Sequence, residues 1–227
     1  MNEPADEKEF LVSDLPKSLA IFPLPGAVLL PGGQLPLNIF EPRYLDMVRD
    51  AMAGSKMIGM IQPSDITAGM EHPPVYKVGC AGAVTSFKET KDGRFLITLT
   101  GIARFAIVEE LQTTTRYRQV VPDWFRFESD LDVAEGAAID QTRLIASMRR
   151  YLDLQGIKVD WSAVRGASPI ALVTFLTMAC PFSPLEKQAL LEADDLDRRA
   201  ELVIGLMEMA VKGGGEGGED AGGNRFH

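Results

Sequence analysis

The spacing of apolar and polar positions divides the chain near residue 130 into a strand-patterned part and a helix-patterned part. From Leu19 to about Phe127 the signal is mainly the two-residue alternation of half-buried strands. Phe95, Ile97 and Leu99 alternate with Leu96, Thr98 and Thr100. The segment Ala83–Lys88 joins this run through Lys91-Asp92-Gly93, which predicts a hairpin because glycine tolerates the positive φ of a tight turn. Gly101 is expected to break the run before Ile102–Val108 resumes it, and Tyr117–Trp124 is expected to add another strand. Short antiparallel strands with Gly and Pro corners predict a small barrel or rolled sheet. One helix interrupts them, starting at Glu41-Pro42, with proline at the first helical position, and ending near Gly54. Tyr44, Leu45, Val48 and Met52 share its apolar face, which is expected to cover an open end of the sheet.

Beyond Asp132 the period becomes helical. Leu144, Ile145, Met148, Tyr151 and Leu152 form one stripe, and Ile170 to Met178 is apolar almost all round, which predicts a central helix. Ser168-Pro169 supplies that helix with an N-cap and a proline at its first position, and Pro181 stops it. Ser183-Pro184-Leu185-Glu186 reads as a capping box opening another helix. A last helix is expected from Asp194 or Asp195, turning Leu196, Ala200, Val203, Met207 and Ala210 inward until Gly213 ends it. The acidic run Glu128, Asp130, Asp132, Glu135 and Asp140 reads as a solvated hinge and helix start, since it lacks the spacing of a calcium loop.

The charge changes what partners are expected. With 32 acidic against 23 basic side chains the net charge is −9, which opposes a broad phosphate-binding surface and so argues against nucleic acid. The N-terminus lacks the basic and apolar regions of a signal peptide, and no uncharged apolar run approaches the ~18 residues that cross a bilayer. A cytoplasmic protein that does not engage membranes is expected. Two histidines and two distant cysteines cannot build a multi-ligand zinc site, so neither a metal nor another cofactor is expected. No Gly-x-Ser-x-Gly elbow and no Gly-x-x-x-x-Gly-Lys-Ser/Thr loop occurs. The Gly213-x-Gly215-x-x-Gly218 pattern lies in a Gly-rich acidic stretch with no preceding strand, and reads as linker.

The segment from Leu19-Ala20-Ile21-Phe22-Pro23 through Pro31-Gly32-Gly33 to Glu41-Pro42-Arg43-Tyr44-Leu45 resembles the start of the LON substrate-binding domain, the N-terminal region of ATP-dependent Lon proteases. Val78-Gly79-Cys80-Ala81-Gly82, Asp92-Gly93-Arg94, Gly101-Ile102-Ala103-Arg104-Phe105 and Tyr117-Arg118-Gln119-Val120 continue the resemblance in order. It implies an α+β fold: a PUA-like β-pseudobarrel followed by an α-helical bundle. The expected organisation is a flexible segment over 1–18, the barrel over 19–127, a helical part over 128–212 and a disordered acidic tail over 213–227.

The resemblance further implies a non-enzymatic module that binds unfolded or apolar protein segments, as an adaptor or modulator of proteolysis or quality control, with a Lon-type protease as one partner. The chain carries no Walker lysine and leaves no room before His227 for a peptidase module, so no catalytic residue is expected. Candidate binding or structural residues are Glu41, Arg43, Tyr44 and Arg104, with Met57, Met60 and Met70 as adaptable surface methionines. Met148, Met178 and Met207 are expected in the core, and a groove between barrel and helices is the expected binding location. Arg43 is expected to clamp Glu41 or a carbonyl, and Arg104 a carboxylate beside the barrel. Two alternatives remain open: RNA binding through Arg94, Arg104, Arg116 and Arg118, and hydrolysis using Cys80 with His72.

Overall fold

A computed structural model describes residues 11–65, 72–132 and 139–216. Strands β1 (Leu19–Pro23), β2 (Gln34–Ile39), β3 (Met57–Ile61), β4 (Val78–Glu89), β5 (Phe95–Glu110) and β6 (Arg118–Asp123) run in the order β2-β5-β4-β3-β1-β6. The additional pairing of β5 with β6 closes five of them into a barrel and leaves β2 as a flange on the first half of β5. All pairs are antiparallel except β1 with β3, where the expectation of antiparallel pairing needs correction. Both β2 and the helix lie between those two strands, and this long connection returns the chain in the same direction.

The hairpin forms where expected, with Gly93 at φ 80° in its turn. Gly101 does not break the strand: β5 runs through it, with Ile102 bulged opposite the Ala81–Gly82 step of the partner strand. The glycine serves close approach instead. Its amide and carbonyl pair with Gly33 O and Gly32 N at 2.8 and 2.9 Å, and a Cβ there would lie 2.0 Å from Leu30 O.

Helix α1 (Pro42–Ala53) follows Glu41 and buries Tyr44, Met47, Val48 and Ala51 over one side of the barrel, against Phe22, Ile39, Ile58, Phe95 and Ile97. A second barrel core gathers Leu19, Ile21, Ile61, Phe105, Val120 and Trp124. The aromatic pair Phe105 and Trp124 meets edge-on at 5.9 Å within it.

Helices α2 (Gln141–Leu154), α3 (Trp161–Gly166), α4 (Pro169–Ala179), α5 (Pro184–Glu192) and α6 (Leu196–Glu216) form the bundle. Their starts follow side-chain chemistry. Asp140, Asp160, Ser168 and Ser183 accept hydrogen bonds from first-turn amides, and Ser183 with Glu186 closes the expected capping box. Asp195 does the same for α6 through the Arg198 amide at 2.7 Å. The core contains Leu144, Met148, Tyr151, Leu172, Val173, Leu176, Leu190, Val203 and Met207. Helix α6 continues through Gly213, Gly214 and Gly215 to Glu216, so Gly213 does not end it. Among the described residues no helix is long and apolar enough to cross a membrane.

Candidate functional site

The barrel and the bundle meet across α5, whose C-terminal carbonyls would lack helical partners without side-chain donors. Arg104 on β5 and Arg199 on α6 supply them. The Arg104 Nη1 donates to Leu191 O at 3.1 Å and also to Ala193 O, while the Arg199 Nε donates to Leu190 O at 2.9 Å. Cations at this end also complement the helix dipole.

Arg104 is held from its other side by Asp130. Its Nε and Nη2 donate to Asp130 Oδ2 and Oδ1, both at 2.8 Å, and its own backbone amide donates to Oδ2 at 2.9 Å. The guanidinium also lies over the Phe127 ring, 4.3 Å from the centroid. Arg104 is 2% exposed and the Asp130 side chain 8%, so solvent hardly screens the pair. The expected carboxylate partner of Arg104 is therefore present, and the solvated reading of the acidic run is corrected at Asp130. Burial, together with the like charge of Arg104, lowers the Arg199 pKa to about 10, which leaves it charged at neutral pH.

A polar seam continues this junction. Gln62 Nε2 donates to Pro184 O at 2.9 Å and Gln188 Oε1 at 3.1 Å, and Gln188 Nε2 donates to Val78 O at 3.1 Å. Lys187 Nζ donates to Gly26 O and Met178 O at 3.0 and 3.1 Å, and burial lowers its pKa. These bonds fix α4 and α5 against the barrel, and they fix the walls of the clefts between them.

Two adjoining clefts open beside this seam. The first, of about 570 Å³, lies between Pro31–Pro36 and α4, where Leu35, Ile170, Thr174, Phe175 and Met178 face it. The second, of about 500 Å³, is lined by Asp132, Asp194, Asp195 and Asp197 together with Arg104, Asp130 and Arg199. Gly33 is fitted to the first cleft, since a Cβ there would lie 2.4 Å from Met178 Sδ. Helix α4 has two apolar faces: Leu172, Val173 and Leu176 are buried in the bundle, whereas Phe175 is 53% exposed at the groove. Its all-round apolar sequence thus marks a bundle face plus a groove face, and the expectation of a wholly central helix is corrected.

The other sequence candidates are dispersed. Glu41 pairs with Arg43 at 2.9 Å, as expected, and the Arg43 guanidinium lies 4.6 Å from the Tyr44 ring centroid. Tyr44 is buried against Phe22, which raises its phenol pKa. Glu41 and Arg43 line a separate polar cleft of about 780 Å³ with His72, Glu110, Arg116 and Arg118. Met57 and Met60 are 5% and 1% exposed and belong to the barrel cores, which corrects their surface assignment: β3 is central in the barrel, paired on both sides, with no solvent face. Met70 lies outside the described residues. Met148 and Met207 are fully buried, and Met178 is partly buried at the groove.

The two alternative sites do not assemble. Arg104 is buried at the barrel–bundle junction, whereas Arg118 makes a bidentate contact with Glu110 at 2.7 Å in the polar cleft and Arg94 pairs with Asp92 at the hairpin turn. Cys80 is fully buried. Burial, assisted by the charge of Asp130, pushes its thiol far above the ordinary range, while His72 is exposed on a loop. Among the described residues, no group of three His, Cys, Asp or Glu side chains is placed to hold a metal ion. The sequence pattern did not point to Gln62, Phe175, Gln188 or Arg199, and marked Asp130 and Ile170 only as members of an acidic run and an apolar helix.

A family model of the ATP-dependent protease La (LON) substrate-binding domain matches residues 18–209. The chain belongs to this family. Lon protease of Flavobacterium johnsoniae is 27% identical over 214 residues, which cover 92% of this chain and 26% of that relative. Lon protease of Dictyoglomus thermophilum is 23% identical over 193 residues, covering 84% and 24%. The chain spans about a quarter of the length of these curated relatives. A Lon N-terminal domain protein from Xanthomonas campestris has the same fold, with a TM-score of 0.57 and 23% identity over 83% of this chain and 97% of that one. The N-terminal domain of Mycobacterium avium complex Lon protease gives 0.57 and 16% over 85% and 98%. The α+β architecture expected of a Lon substrate-binding domain is thus the one observed.

Proposed function

We propose that this chain is a non-enzymatic recognition module that holds apolar segments of other proteins in the groove between Pro31–Pro36 and α4. It would act as an adaptor or modulator of proteolysis, with a Lon-type protease as the partner that degrades what is held, and its expected compartment is the cytoplasm. The observation that carries this reading is Phe175, a large apolar side chain left 53% exposed beside Leu35, Ile170 and Met178 in a cleft. Concave apolar surface with a few polar neighbours suits a side-chain anchor. The alignment with only the substrate-binding portion of Lon proteases supports a role in recognition.

The test is binding of fluorescent unfolded proteins and apolar peptides to the purified chain, compared with the Phe175→Glu variant. Saturable binding that the variant loses, with its melting temperature retained, is expected. Failure to bind any unfolded protein, or equal binding by the variant, overturns the reading.

A further inference from the structure

The geometry points to a sharper client class: we propose that the groove selects apolar segments carrying a lysine or arginine near the apolar anchor. This rests on the peptide-binding reading above.

The apolar groove and the acidic cleft are two ends of one furrow, sharing Pro31, Gly32, Ile170 and Thr174. At one end Leu35, Phe175 and Met178 present carbon surface. At the other, five carboxylates face two guanidiniums. Arg104 is committed to Asp130 and two carbonyls, whereas Arg199 donates its Nε to Leu190 O and its buried Nη2 has no partner among the described residues. Asp132, Asp194 and Asp197 are exposed and enter none of the ion pairs among the described residues.

Helix capping accounts for part of this charge, since Asp195 bonds the Arg198 amide and Asp197 sits in the first turn of α6. It does not account for Asp194, which precedes the cap, or for Asp132, which ends the 3-10 segment after β6. The furrow therefore has an apolar half and an anionic half in which carboxylates outnumber guanidiniums, and their complement is an apolar segment with a cation on it. The absence of a three-ligand group among the described residues favours an organic cation over a metal ion.

The experiment uses the whole chain and three labelled peptides that share one apolar core around a phenylalanine, with Lys, Gln or Glu three residues away, read by fluorescence anisotropy. The Lys peptide is expected to bind about three- to tenfold more tightly than the Gln peptide, and the Glu peptide more weakly still. The differences should shrink in 1 M salt, where the Debye length is about 3 Å. Asp132→Asn with Asp194→Asn should bring the Lys peptide to the affinity of the Gln peptide. Equal binding of all three peptides would overturn the charge selection and leave the groove reading standing. Binding of none would overturn the groove reading itself. Self-association of the peptide-free chain that Phe175→Glu abolishes would assign the furrow to a second copy and overturn the proposal.

Discussion

Arg104 on β5 and Asp130 in the 3-10 segment after β6 form one buried ion pair, with both guanidinium contacts at 2.8 Å, and the remaining guanidinium nitrogen joins the barrel to the bundle through the carbonyls at the end of α5. The pair has a consequence beyond its own energy, because Arg104 also caps the helix that forms the floor of the junction. Removing either partner leaves the other charged and buried without compensation. Arg104→Met and Asp130→Asn are each expected to destabilise the protein by about 3–5 kcal/mol in chemical denaturation. Arg104→Met combined with Asp130→Leu should cost clearly less than the sum of the single losses. Additive losses would show that the two residues act separately.

Gly101 makes a second, purely steric prediction. A methyl group there meets Leu30 O at 2.0 Å, a backbone atom held by the pairing of Gly32 and Gly33 with the same strand. Gly101→Ala should destabilise by about 1–3 kcal/mol, because the loop rather than a flexible side chain must move. Gly33→Ala meets Met178 Sδ first, at the end of a flexible side chain, and should cost less. Equal midpoints for the two variants in urea would contradict this ordering.

Helices α2 and α6 are clasped at their surface by Arg143 and Glu208, which meet at 2.8 and 2.9 Å, with Ser147 adding a hydrogen bond to Glu208. The Arg143 contacts, helped by Ser147, lower the Glu208 pKa from 4.5 to about 2. A depressed carboxylate pKa means that the unfolded chain binds the proton first as acid is added. The stabilisation is therefore complete above pH 4.5 and disappears as pH falls towards 2. The groups are exposed enough for solvent to screen them, so the loss should stay below about 1 kcal/mol. Glu208→Gln should flatten this part of the pH dependence of the urea midpoint and change little at pH 7 beyond that amount.

Much of the framework could be read from periodicity because local rules decide it. The β4–β5 hairpin, the α1 start at Pro42 and the capping of α4 and α5 each depend on residues within one turn. What escaped depends on contacts distant in sequence. Met57 and Met60 are flanked by Gly and Pro and resemble a surface segment, yet β3 is paired on both sides. Helix α3 has six residues, too few to display a helical period, and only Asp160 before it hints at a start. Asp130 sits among other acidic residues that look solvated, and nothing local shows that Arg104, 26 residues earlier, reaches it. For the groove, the signal was present in the all-round apolar sequence of α4. One apolar face cannot be told from two without knowing what stands opposite.

Cys80 is expected to be inert in the native protein. It is fully buried, and desolvation, with the nearby charge of Asp130, disfavours the thiolate that alkylating reagents require. Iodoacetamide at pH 8 should modify Cys80 only as fast as the protein opens, with the rate rising steeply in denaturant and unchanged in His72→Ala. Rapid native labelling that depends on His72 would instead restore a nucleophile and base at this position.

Neighbouring positions on α4 separate folding from recognition. Leu176 is fully buried in the bundle, so Leu176→Ala removes packed carbon and should cost about 2–5 kcal/mol. Phe175, one residue earlier, faces the groove and is 53% exposed, so Phe175→Ala should change stability by no more than about 0.5 kcal/mol. If the groove binds apolar segments, the order reverses for binding: Phe175→Ala should weaken peptide affinity, whereas Leu176→Ala should retain it at temperatures where the variant remains folded. Thermal unfolding and peptide anisotropy on the same two samples give both answers. A Phe175→Ala protein that loses several kcal/mol of stability would place Phe175 in the core and remove the anchor from the proposed site.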